Sequence, residues 1–243
     1  MTERSLQRLY EDPATPLALG KETAQYQAQL LADIASGSLR GLRAIDVGCG
    51  DGATTAMATA ACRARGAEMR IVGFDWSSAA LAKAHQRGIA VARASVESPG
   101  LPLPPASVDV VIMSELIEHV VDTDALLEEA RRVLVPGGRL VLSTPNLAAW
   151  FNRVLLMVGI QPLFSEVSLK GIYGRPGHEV AGHLRIFTRR ALAELLSANG
   201  YADIRITGAP YHDVPRPFRS LDRLLCRTPG LSSILLASAR RSD

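Results

Sequence analysis

Cysteine is scarce in this chain. The three present, Cys49, Cys62 and Cys226, are odd in number and far apart. Neither a disulfide framework nor a zinc-ligand pair is expected from them. A reduced, cytoplasmic protein fits that usage. Long apolar runs are missing as well, and no stretch approaches the ~20 apolar residues of a membrane-spanning helix. Met1–Ser5 carry charge but no apolar run, so no signal peptide is expected. Charge of one sign is also lacking. A net charge of +3 implies no acidic tail and no basic footprint for nucleic acid, which is not expected as a partner. Internal repeats and low-complexity tracts are absent. What remains is 243 residues, 47% of them hydrophobic. That is enough for one large α/β domain with a substantial core, and too apolar for disorder.

The organising stretch runs from Ala44 to Gly52, Ala-Ile-Asp-Val-Gly-Cys-Gly-Asp-Gly. It starts as a buried strand and ends in glycines at alternate positions, Gly48, Gly50 and Gly52. Glycine there lets backbone approach a ligand or take positive φ. A helix from Ala53 presents its unpaired N–H groups to the turn. Strand, glycine turn and helix together make a nucleotide-type cradle. Asp75 follows a second predicted strand, Arg70–Phe74, at 23 residues beyond Gly52. That is where an acidic residue meets a ribose in nucleotide folds. It either does so or caps the next helix with Ser77 and Ser78. Trp76 either lies against an adenine ring or joins the core.

The spacing G-x-G-x-G, with Asp46 two positions before it, resembles motif I of the class I (Rossmann-like) methyltransferases that use S-adenosylmethionine (SAM). The Leu101–Pro105 run and P-G-G-x-L-V-L-S-T-P over residues 136–145 resemble the same core. The resemblance implies a doubly wound, seven-stranded, mostly parallel sheet with strand seven antiparallel beside strand five. It implies SAM as cofactor, with contacts from Asp46, Gly48, Gly50, Gly52, Asp75, Trp76, Ser95, Val96 and Ser114. An aspartate commonly stands where this chain has Ser95, so that contact would be made by a hydroxyl and the Val96 backbone.

Pattern along the chain agrees with alternating strands and helices. A helix is expected from Lys21 to Ile34 with Tyr26, Leu30, Leu31 and Ile34 on one face, after a loose arm over residues 1–20. This helix either covers the cofactor pocket or packs on the sheet edge. Further strands are expected at Leu42–Val47, Ile89–Arg93, Val108–Met113, Arg139–Thr144, Ala202–Thr207 and Ser232–Ala239. Further helices are expected at Ala53–Ala64, Leu81–Arg87 and Thr123–Leu134, and after Thr188. All of this reads as a single domain: arm and helix over 1–40, core over 41–145, insertion over 146–185, and returning core over 186–243. The insertion has Leu147, Trp150, Phe151, Val154, Leu155 and Val158 at helical spacing, then a glycine-rich tract. It is expected either as a lid shaping the acceptor pocket or as an apolar dimer surface. No oligomeric state follows from the sequence.

The second informative stretch is Ser114-Glu115-Leu116-Ile117-Glu118-His119-Val120, after the central strand. Ligands of open α/β sheets bind at the carboxyl ends of strands. In a helical turn, Glu115, Glu118 and His119 would share one face. This E-x-x-E-H tract, with the later His183, resembles the ubiquinone-pathway O-methyltransferases and also the small-RNA 3′-terminal 2′-O-methyltransferases. The implied reaction is methyl transfer from SAM to a small, glycan- or lipid-linked hydroxyl acceptor. N- or C-methyl transfer, or a non-catalytic SAM-binding partner subunit, are the alternatives. His119 either acts as a general base titrating near neutral pH, joins Glu115, Glu118 and His183 on a divalent metal, or only shapes the pocket. The metal is the less favoured of the first two. Arg216, Arg219, Arg223 and Arg227 form either a polar helix face or a contact for an anionic acceptor or lipid surface, so peripheral membrane contact stays open.

Overall fold

The computed structural model describes residues 20–38, 41–96, 100–177 and 180–243. The arm expected over residues 1–20 lies, up to residue 19, outside them. Seven strands form one sheet: β1 Leu42–Val47, β2 Met69–Asp75, β3 Ala90–Arg93, β4 Val108–Ser114, β5 Leu134–Pro145, β6 Tyr201–Ala209 and β7 Ile234–Arg241. Their spatial order is β3-β2-β1-β4-β5-β7-β6, with β7 antiparallel to both neighbours and the other pairings parallel. The helices are α1 Lys21–Ser36, α2 Ala53–Ala64, α3 Ser78–Gln86, α4 Thr123–Val133, α5 Trp150–Met157, α6 Arg189–Ala198 and α7 Arg219–Leu225, the last preceded by a 3₁₀ turn at Arg216–Phe218.

Period-two alternation sorts the central strands between two cores. Ile45, Val47, Val111 and Met113 face one side with Leu126 and Leu127 of α4 and Leu192 and Leu196 of α6. Ala44, Val110 and Ile112 face the other with α1 and α2. Small residues, Ala28, Ala32 and Ala35 on α1 and Ala58 and Cys62 on α2, allow close packing there. The strand order reverses between β1 and β4, which pair from Ala44↔Val110 to Val47↔Met113. In open α/β sheets a crevice opens at such a reversal, at the carboxyl ends of the strands.

Two local expectations are corrected. The inner stripe of α1 is Thr23, Gln27 and Leu31 with the alanines, and Tyr26 is exposed. Close approach to α2 through alanine turns the helix away from its bulkier face. Strand five begins directly at Leu134, and Pro136-Gly137-Gly138 forms an excursion inside it, between the pairs Val108↔Leu134 and Val110↔Arg139. After β4, residues 115–120 form a turn in which Glu115 takes a left-handed φ of 51°.

Candidate active site

The turn after β1 carries Gly48, Gly50 and Gly52 at φ of 73°, 53° and 76°. Two of these glycines are also demanded by packing. A Cβ on Gly52 would come within 2.9 Å of Ala84 Cβ, and one on Gly48 within 3.0 Å of Leu116 Cδ1. Gly52 therefore lets α3 sit against the turn, and Gly48 admits the Leu116 side chain from the turn after β4. Asp75, at the end of β2, ties the same turn down. Its Oδ2 accepts the Gly50 N–H at 2.9 Å and its Oδ1 the Ser77 N–H at 2.8 Å. Capping of α3 falls to Ser77, whose hydroxyl accepts from the Ala80 N–H. Trp76 is partly exposed and belongs to neither apolar core. Ser95 is partly buried, and Val96 packs against the larger core.

Asp46 alternates onto the α1/α2 side of β1 and is buried. Its Oδ2 accepts the Thr55 hydroxyl from α2. Burial, with Asp75 nearby, pushes its pKa up to about 7. From α1, Gln27 donates through Nε2 to the Ser114 hydroxyl at 2.8 Å. The helix packs on the sheet and reaches over the end of β4.

The turn after β4 brings titratable groups together. Glu118 is fully buried, and its Oε2 accepts the Thr144 hydroxyl at 2.9 Å. Its backbone carbonyl accepts the N–H groups of Leu184, at 2.8 Å, and Arg185. The Arg185 guanidinium donates back to the Val120 carbonyl. These bonds fasten the segment carrying His183 to the segment carrying His119. The two imidazoles lie 4.8 Å apart, ring centre to ring centre. Nδ1 of His119 faces the Gly182 carbonyl at 3.2 Å, and Nδ1 of His183 faces the Phe164 carbonyl at 2.8 Å. Because a carbonyl only accepts, each Nδ1 carries the proton and each Nε2 the lone pair. One ligand atom each from Glu118, His119 and His183 lies within 4.8 Å of the others. Glu115, its backbone turned by the left-handed φ, is outside that set.

Burial sets the protonation states. Glu115 is pushed up to about 7, and Glu118 well above the usual carboxylate range by burial and by the charge of Glu115. Burial and the neighbouring His183 push His119 down to about 3. Burial also lowers His183. Of the roles expected as alternatives for His119, this environment bears on the general base: it favours the neutral imidazole.

Some participants were not found from sequence. Glu166 is a buried brace whose carboxylate accepts the N–H groups of Ala181 (2.7 Å), Gly182 (2.8 Å) and His183 (3.2 Å), with Arg175 beside it. It fixes the backbone whose Gly182 carbonyl meets His119 and whose next residue is His183. From β5, the Thr144 hydroxyl donates to the Glu118 carboxylate and the Ser143 hydroxyl accepts the Glu115 backbone N–H. Gln27 left a signal, being a polar residue four positions before Leu31 on a helix. Glu166 left none, because its partners are backbone groups.

Four buried acceptor oxygens have no donor among the described residues: Gln27 Oε1, Asp46 Oδ1, Glu115 Oε1 and Glu118 Oε1. All belong to residues around the carboxyl ends of β1 and β4. Buried acceptors without donors cost ~1–3 kcal/mol each, so this end of the sheet calls for donors or a cation. A ligand with ammonium and hydroxyl donors fits Asp46 and Gln27. A divalent cation fits the carboxylate and two neutral imidazoles at Glu118, His119 and His183.

A family model described as "Methyltransferase domain" matches residues 19–206. A probable SAM-dependent methyltransferase of Mycolicibacterium smegmatis is 31% identical over 164 residues, 64% of this chain and 59% of that protein. A ubiquinone biosynthesis O-methyltransferase of Cereibacter sphaeroides is 32% identical over 136 residues, covering 54% and 53%. The chain thus spans little more than half the length of either relative. Among solved structures, a SAM-dependent methyltransferase of Mesorhizobium loti aligns with a TM-score of 0.57 at 22% identity, over 90% of this chain and 98% of that one. At that identity the likeness shows the shared fold.

Proposed function

Because the chain belongs to the methyltransferase-domain family, we propose that it transfers the methyl group of SAM to a hydroxyl oxygen of a small, glycan- or lipid-linked acceptor. The observation that carries the hydroxyl reading is the convergence of Glu118, His119 and His183 at the turn after β4. A neutral amine can attack through its lone pair and lose a proton afterwards, whereas a hydroxyl attacks well only as its proton is removed. The O-methyltransferase relative points the same way.

SAM would supply an electrophilic methyl on a sulfonium. The residues proposed to hold it are the Gly48–Gly52 turn, Asp46, Asp75, Trp76, Ser95, Val96 and Ser114, with Gln27 added from the structure. Asp75 keeps lone pairs for ribose hydroxyls while its backbone bonds fix the carboxylate. Asp46 Oδ1 and Gln27 Oε1 offer acceptors for an ammonium group. Orientation of two reactants in line supplies much of the rate in such a displacement.

For proton removal, a neutral His119 held near pKa 3 is a poor base and a good ligand. The reading favoured here is therefore a divalent cation on Glu118, His119 and His183, which would lower the pKa of an acceptor hydroxyl. Glu115 stands next to this set as a second carboxylate able to accept the released proton. Glu166 keeps the His183 backbone in register.

Calorimetry with SAM and its demethylated product tests the first part. Asp75→Ala should weaken binding about 10–100-fold, since hydrogen bonds to a charged group are worth ~1.5–3 kcal/mol. Wild-type protein that binds neither form would sink the assignment. Manganese titration of the same protein tests the second part. Glu118→Gln and His183→Ala should each lose manganese while retaining SAM affinity. Equal manganese binding by wild type and both variants would remove the cation.

A further inference from the structure

Two neighbouring helices of this molecule are turned inside out. α5 buries Asn152, at 0% exposure, whose amide donates to the carbonyls of Asn146 and Leu163 and accepts the Leu163 N–H. Apart from the half-buried Leu155, its aliphatic side chains point into solvent. Val154, Leu156 and Met157 are exposed, Met157 at 86%, and Val158 continues the face. α7 repeats the inversion. It buries Asp222, which accepts from Trp150 Nε1, the Ser233 hydroxyl and the Tyr211 N–H. Leu221 and Leu224, with Phe218 just before the helix, are exposed. The helices adjoin through the Trp150–Asp222 bond and through the rings of Trp150 and Phe218, 6.1 Å apart. A surface helix of a monomer buries its apolar stripe. Two adjacent helices doing the reverse make an exposed apolar patch, which marks a contact surface.

Charge selects what it contacts. Between residues 211 and 230 the exposed ionic side chains are Arg216, Arg219, Arg223 and Arg227 against Asp213. Arg223 pairs with Glu22, while Arg219 donates to the carbonyls of Val214 and His212. A cavity of about 180 Å³ beside α7 is lined by Lys21, His212, Arg219 and Arg223, with Glu22 already taken by Arg223 and Asp222 by its three donors. A second copy meeting this face about a twofold axis would set arginine against arginine. Exposed aliphatic side chains on two adjoining helices, with four exposed arginines on and beside one of them, suit the boundary between headgroups and acyl chains. Each basic group near an anionic leaflet adds attraction.

We propose that the α5–α7 face docks the protein on an anionic lipid surface. The aliphatic side chains enter the boundary and the arginines meet lipid phosphates. The face also leads inward. Phe151 of α5 lies 6.0 Å from Phe164, and Phe164 lies 6.2 Å from His183, ring centre to ring centre. An apolar acceptor held in the bilayer would enter along these rings. This second step rests on the hydroxyl-acceptor reading above, and the docking itself does not.

Flotation with phosphatidylcholine vesicles, with and without phosphatidylglycerol, is the test. Wild type should float with the anionic vesicles, less so at high salt, and stay behind with the neutral ones. Met157→Glu with Leu224→Glu should reduce flotation at least tenfold, as should Arg216→Glu with Arg227→Glu. All four positions are exposed, so melting temperature and SAM affinity should stay at wild-type values. Wild type that does not float with anionic vesicles would overturn the proposal and leave the face to a protein partner. Both double variants floating like wild type would overturn it too. So would a dimer in sedimentation that Met157→Glu dissociates, without flotation. SAM affinity is read separately, so failure here leaves the methyl-transfer reading standing.

Discussion

Asp46 holds one carboxylate oxygen against Thr55 and the other without a donor, under the glycine turn. Its pKa in the fold is about 7, against ~3.9 for an unperturbed aspartate. Between those values the folded chain keeps a proton that the unfolded chain releases. Its contribution to stability is therefore full below the unfolded pKa and lost as pH rises through about 7. An asparagine there does not titrate. In cofactor-free protein, Asp46→Asn should gain stability relative to wild type from about pH 5 to about pH 8, by on the order of 1–4 kcal/mol. Melting curves across pH check this, and a constant difference would show that Asp46 does not carry the charge. Saturating SAM should shrink the difference, because donors at the second oxygen favour the ionised form. Asp46 and Asp75 could be picked out from the sequence because their place is fixed by strand ends and by the glycine spacing. His119 could be picked out as a residue but not as a chemical state, since its low basicity comes from burial and from His183, 64 residues later.

Strands and helices of the core were legible because period and punctuation agree: Thr188 caps α6, Asp122 caps α4, and Ser36-Gly37 ends α1. The insertion was less so. Helical spacing of Trp150, Phe151, Val154 and Val158 marked an apolar face but left open whether it lines a pocket or a surface, and in the fold Val154 and Val158 face solvent while Asn152 is the anchor. Periodicity reports that a face is apolar and says nothing about what covers it. The described part of the insertion is also braced more than a glycine-rich tract suggested, by Asn152, by the Gln161 N–H on the Gly174 carbonyl, and by Glu166. Asn152→Ala should cost ~1–3 kcal/mol by leaving buried backbone unsatisfied. Val154→Ser should stay within about 0.5 kcal/mol. Urea unfolding compares them, and the opposite ranking would mean that α5 is rotated from the orientation described.

At the scale of the molecule, the two cores meet on a single sheet, and β7 lies between β5 and β6. The alternation of strands and helices conveys most of this order, but the antiparallel insertion came only with the family resemblance. β7 is buried over Ile234–Ala239 and pairs along its length with both neighbours. A chain ending at residue 230 should therefore lose more than one strand: it should fail to give a cooperative melt or a protected amide core. A cooperative melt from that truncation would show that β6 and β7 are dispensable.

The place of β7 also has a temporal consequence. A ribosome delivers β5 about ninety residues before β7, and β6 with no neighbour to join. Until Ile234–Arg241 clear the exit tunnel, the nascent chain carries two open strand edges. Such edges recruit foreign strands. Synthesis speed and chaperone occupancy while β7 emerges should then govern the yield of this protein more than the composition of its core does.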